Sequence, residues 1–122
     1  MRFLVKASLP IEAGNAAIKN GTLGDTINSI LGEQKPEAAY FGVEDGKRTA
    51  FIFLNMENSS DLPKILEPWF LAFNAQIEIT PVMVGEDLGA AGPSIGEAVK
   101  KYGLPELIWI ISVWPTTGGG RC

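Results

Sequence analysis

The chain contains no histidine, and its single cysteine, Cys122, is the last residue. The first absence removes the commonest general base and the commonest metal ligand. The second leaves no internal disulfide and no cysteine-rich metal site, as suits a reducing compartment. Basic charge is also scarce. Ten Lys and Arg stand against fourteen Asp and Glu, a formal net charge of −4, and no basic run exceeds two residues. Attachment to nucleic acid or to an acidic membrane surface needs a basic field, so neither partner is expected. Long hydrophobic runs are missing too. In Met1-Arg2-Phe3-Leu4-Val5-Lys6 the apolar run ends at Lys6, too early for a secretion signal. Leu107 to Val113 is too short to span a bilayer as a helix. These features set the expectation of a cytoplasmic protein. Gly85, Gly89 and Gly92 make a glycine-rich stretch, but the Gly-Lys-Ser/Thr of a phosphate-binding loop is absent. No metal and no cofactor is expected.

What is present is enough apolar residue for one sizeable core: 46% of 122 residues. The clearest local signal runs from Ala38 to Met56. Two runs rich in aromatic and branched residues flank Asp45-Gly46, and Asp-Gly favours a tight hairpin because both central residues need positive φ. The second run is apolar on both faces, with Ala50, Ile52, Leu54 and Met56 against Phe51 and Phe53. A strand buried on both faces is a central one.

The remaining elements follow from periodicity. Phe3 to Leu9 reads as a strand with Phe3, Val5 and Ala7 on one face and Arg2, Leu4, Lys6 and Ser8 on the other. Ile11 to Glu33 reads as helix broken near Gly21 and Gly24. Its stripe is Leu23, Ile27, Ile30 and Leu31, which Ile11 and Ile18 could extend but for the interruption at Asn20-Gly21-Thr22, and Gly32 could end it. A third helix runs from the Ser59-Ser60-Asp61 cap cluster to about Phe73, with a kink expected at Pro68 and a stop at Asn74. Ala75 to Val82 alternates and carries Pro81, the pattern of a half-exposed edge strand. Beyond Glu86 the glycines predict two short helical pieces, the better one from Pro93 to Tyr102. Residues 104–122 differ in composition: a possible strand over 107–114, then a flexible Gly-rich end.

The order βαββαβ predicts an α+β, ferredoxin-like fold over residues 1–103, with antiparallel sheet order 4-1-3-2, an extra C-terminal helix and residues 104–122 as an extension. Two helices cover one sheet face and leave the other uncovered and too apolar for water. Five segments carry a resemblance that spans residues 1–103. They are Met1-Arg2-Phe3-Leu4-Val5-Lys6, Lys35-Pro36-Glu37-Ala38-Ala39-Tyr40-Phe41, Glu67-Pro68-Trp69-Phe70-Leu71-Ala72-Phe73-Asn74-Ala75, Pro81-Val82-Met83 with Glu86-Asp87-Leu88, and Val99-Lys100-Lys101-Tyr102-Gly103. Together they resemble an uncharacterised family of small bacterial proteins in the dimeric α+β-barrel superfamily. The resemblance implies two ferredoxin-like sheets packed face to face, in a homodimer or higher homo-oligomer. Better-known superfamily members are haem-degrading and quinone-forming monooxygenases and small isomerases. Several of those use a histidine that this chain lacks, so the resemblance implies no particular activity.

Two functional readings remain. In one, a small-molecule pocket lies between the facing sheets, with Tyr40, Phe51, Phe53 and Trp69 as its aromatic lining and Tyr40 and Asn55 as polar handles. Arg2, Lys6 and Glu78 then orient a polar ligand. In the other, the same aromatics are core, the charges are cross-strand ion pairs, and the sheet face and tail serve only assembly. Neither reading supplies a catalytic constellation, and whether the chain is an enzyme stays open. Glu67, beside Pro68, is a solvated carboxylate or a base; Glu86-Asp87 reads as helix-start electrostatics.

Overall fold

The computed structural model describes residues 1–103. The contacts divide the chain into two compact units, Met1–Val82 and Met83–Cys122. The first holds strands β1 (Arg2–Ser8), β2 (Ala38–Glu44), β3 (Lys47–Asn55) and β4 (Gln76–Pro81), with helices α1 (Ile11–Lys19), α2 (Leu23–Gln34) and α3 (Leu62–Phe73). All neighbouring strands are antiparallel, in the order β2-β3-β1-β4. This is the α+β, ferredoxin-like order expected from the sequence. The doubly apolar β3 lies inside the sheet and the alternating β4 at an edge.

The period of two decides what the sheet buries. Val5 and Ile52 are paired in register and fully buried, as is Trp69 of α3. Ala7, Ala50 and Leu54 join them from the same sheet face, and Ile30, Ile65 and Phe73 close the core from the helices. Each large side chain removed from water this way contributes roughly 1.5–3 kcal/mol. α3 presents Ile65, Trp69 and Phe73 at a spacing of four, one stripe along one face. It runs on through Pro68, which has no N–H for the preceding turn.

Turn chemistry sets the boundaries. Asp45 (φ 53) and Gly46 (φ 75) both take positive φ, as the tight hairpin requires. No atom lies within 4 Å of a Cβ built at Gly46, so the only penalty for a side chain there is conformational. Gly46→Ala is expected to lower stability by about 1–2 kcal/mol, read as a lower urea midpoint with an unchanged slope. Gly21 (φ 71) separates α1 from α2, and Asn74 (φ 54, ψ 38) ends α3 in the left-handed region.

Two expectations need correction. α2 passes through Gly32 and ends at Lys35 (φ 48, ψ 61). The cause is Pro36, which makes the right-handed helical region unfavourable for the residue before it. Ile11 and Ile18 do not extend the apolar stripe, being 54% and 50% exposed. α1 instead turns Gly14 and Ala17 inward, with Gly14 buried.

In the second unit, α4 (Gly85–Ala90), α5 (Gly92–Ala98) and a π turn (Val99–Gly103) are the short pieces that the glycines predict. The Asp87 carboxylate accepts the Val84 N–H (3.1 Å) at the start of α4, the helix-start role expected for Glu86-Asp87. The possible strand over 107–114 and Cys122 lie outside the described residues. No helix among the described residues is long and apolar enough to cross a membrane.

Candidate functional site

The helices cover one sheet face. On the other, the register lines up two cross-strand rows: Ala38, Phe53, Leu4 and Thr80, then Tyr40, Phe51, Lys6 and Glu78. Leu4, Phe51 and Phe53 are half-buried, and Tyr40 is 63% exposed. The Tyr40 and Phe53 rings meet edge-on, with centroids 6.5 Å apart at 83°. The middle of this face is therefore an apolar, aromatic strip that nothing in its own unit covers.

Polar side chains close the strip at both ends. At one end the Arg2 Nε donates to both carboxylate oxygens of Glu37 (3.0 and 2.9 Å), and the Asn55 amide donates to the same carboxylate (2.6 Å). Glu37, which precedes β2, was not among the expected site residues. Toward the other end the Lys6 ammonium lies 3.0 Å from Glu44 and 3.7 Å from Glu78. Beyond it the Ser8 and Thr49 hydroxyls share a hydrogen bond (3.3 Å). Exposed pairs of this kind are individually worth about 0–1 kcal/mol.

The hydrogen bond to Glu44, with the charges of Glu44 and Glu78, holds the Lys6 pKa above its ordinary value against a smaller opposing effect of burial. A lysine whose pKa is raised by folding binds its proton more tightly in the native state. Its stabilising contribution is complete below the unfolded pKa of about 10.4 and is lost as pH rises through the higher native value. Thermal unfolding is therefore expected to show a small extra loss of stability above about pH 10.4, absent in Lys6→Met. A variant with an unaltered alkaline profile would remove Lys6 as its origin.

Seven of the eight residues singled out from the sequence share this face: Arg2, Lys6, Tyr40, Phe51, Phe53, Asn55 and Glu78. Trp69 does not join them. It belongs to α3, is fully buried, and packs against Phe73 (centroids 6.1 Å apart) within the core on the opposite side of the sheet. Its helical register, four residues from both Ile65 and Phe73, points it inward with them. Glu67 is exposed. Among the described residues no group of three His, Cys, Asp or Glu side chains is placed to hold a metal ion.

The helix-covered side holds a cavity of about 370 Å³, walled by Leu9, Leu23, Ile27, Phe41 and Ala50 and lined also by Trp69 and Arg48. The Trp69 indole Nε1 is buried and has no hydrogen-bond partner among the described residues. Arg48 donates from Nη2 to Asn15 of α1 (3.0 Å). A Cβ placed at Gly14 would sit 2.7 Å from Arg48 Nη1, so the guanidinium lies close against α1 and would have to shift to admit a side chain there. A second depression, about 450 Å³, is lined by Phe3, Met56, Leu62, Ile79 and Pro81, with Glu57 as its only charged side chain among the described residues. Neither cavity has a signal in the sequence pattern, because both form where separate elements fail to meet.

No protein-family model matches the chain, and no curated protein matches it. Among solved structures it is similar to the de novo designed protein Ferredog-Diesel, at 7% sequence identity and a TM-score of 0.40, over 66% of this chain and 85% of that chain. The ferredoxin-like arrangement stands on the strand order and pairing of the sheet itself.

Proposed function

We propose that the open sheet face receives the same face of a second copy, so that the working form is a homodimeric α+β barrel. One observation carries this reading. The face is apolar and aromatic in its middle, and four of its charged side chains, Arg2, Lys6, Glu44 and Glu78, already have an opposite charge beside them in their own chain, while Lys47, at the end of the hairpin, donates to Gln76 (3.2 Å). Burying an unpaired charge costs several kcal/mol per ion, so a face meant to stay wet has no need of such pairing, whereas a face meant to be covered does. A two-fold axis brings the same patch of both copies together, residue i of one meeting j of the other and j meeting i, and an apolar strip whose neighbouring charges are mostly paired is complementary to itself.

The ligand reading of the same face is weaker. Of its polar handles, Asn55 is engaged with Glu37, and Lys6 with Glu44 and Glu78. Among the described residues that leaves the Tyr40 hydroxyl, with Thr80 at the edge, to orient a bound molecule. Assembly is the function that these contacts favour. Sedimentation equilibrium of the full chain is expected to give twice the 13.1 kDa chain mass at micromolar concentration. A mass of one chain up to about 1 mM, where even weak association shows, would overturn it.

A further inference from the structure

The two faces of the sheet divide the work, and the cavity on the helix side has features that assembly does not use. Its walls are aliphatic and aromatic, and at about 370 Å³ it falls at the lower end of the range for small-molecule pockets. Two of its lining residues, Trp69 and Arg48, carry donors that lack the acceptors such groups ordinarily find inside a protein. Trp69 is fully buried, yet its indole N–H meets no acceptor among the described residues. A buried donor left unmet is costly and rare enough to need a reason. Arg48 is the one charged residue of the lining, and its guanidinium pairs with no carboxylate among the described residues. The chain carries fourteen acidic residues, so an arginine beside an apolar cavity without one is not explained by a shortage of partners. The neutral Asn15 takes one of its five donors.

We propose that this cavity binds a small monocarboxylic acid with an apolar body. The carboxylate lies on the free donors of Arg48, which suit its planar, two-oxygen geometry. The body fills the space between Leu23, Ile27, Phe41 and Trp69. The guanidinium rests against α1 at Gly14. The positive charge is local, so the site takes an anion even though the whole protein carries a net charge of −4.

The test uses the full-length chain with octanoate as the probe, and octanol, which has the same chain length without the charge, as its comparison. Binding is read by calorimetry and by the Trp69 indole N–H resonance, assigned with Trp69→Phe. Octanoate is expected to bind and to shift that resonance. Octanol is expected to bind about tenfold more weakly, and Arg48→Gln to weaken octanoate about tenfold while leaving octanol unchanged. Thermal unfolding of Arg48→Gln checks that the fold is intact. No binding of octanoate up to about 1 mM would overturn the proposal. So would equal affinity for octanoate and octanol, or an unmoved Trp69 resonance. The site is independent of the sheet-face dimer. Phe53→Glu, on the open face, is expected to keep octanoate binding, so loss of the dimer and loss of the ligand are separate results.

Discussion

Phe53→Glu is expected to turn the proposed dimer into a monomer, with sedimentation mass falling from twice 13.1 kDa to that value and binding weakened about a thousandfold or more. Phe53 sits in the middle of the open face. It is in register with Leu4 on one side and Ala38 on the other, and its ring meets that of Tyr40. In the proposed dimer a glutamate there brings one unpaired carboxylate from each copy into a dry contact. Each costs several kcal/mol to desolvate, and about 1.4 kcal/mol is a factor of ten in the dissociation constant. The monomer itself should fold nearly as well as before, because the core lies on the other side of the sheet. A variant that keeps the dimer mass and a native unfolding profile would show that this face is not the interface.

The largest loss of stability is expected at Ile52. Its side chain is fully buried at the centre of β3, with Val5 of β1 and Ala39 of β2 beside it in register and the helices above. Ile52→Ala removes buried carbon on a face held from two strands, which cannot close over the gap without breaking register. The expected cost is about 2–5 kcal/mol, a large share of the roughly 5–15 kcal/mol that a domain of this size possesses. The unfolding midpoint in urea should fall steeply with an unchanged slope. Leu71, also apolar but 79% exposed on α3, is the comparison: Leu71→Ala should stay within about 0.5 kcal/mol of wild type. Similar losses at both positions would mean that the helix-side face is not the core.

Much of the fold was legible because each signal had a short-range cause. Asp45-Gly46 fixed the hairpin through its backbone angles, and the two-sided apolar pattern of β3 placed that strand inside the sheet. Where the reading went astray, a neighbouring residue outweighed a propensity, as when Pro36 rather than Gly32 ended α2. The open face was partly visible. Odd and even positions along β1 and β3 separate Phe51 and Phe53 from Ile52 and Leu54, and both helical crossovers pack on the latter. Applied to Trp69, that rule places it away from Tyr40. Glu37 is another matter. It precedes β2, and nothing local joins it to Arg2, 35 residues away in sequence; the link exists only once β1, β3 and β2 lie side by side in one register. The cavity beside Arg48 was illegible for the same reason. In sequence Gly14 is only a weak helix residue, and its closeness to a guanidinium is a property of the packed chain.

The order of the strands has one more consequence. Among the described residues β2 and β4 each pair with a single neighbour, so the sheet has two free edges of different character. β4 presents Glu78, Thr80 and Pro81, a charge and a missing N–H that discourage further pairing. β2 presents Tyr40, Phe41 and Val43, all more than half exposed and uncharged. Side-by-side growth in crowded solution therefore has one favourable direction, β2 against β2. Once two chains meet in that way, the edges that remain are both β4. The unequal edges act as a stop: misassembly along the sheet ends at a pair of chains and does not propagate into a fibre.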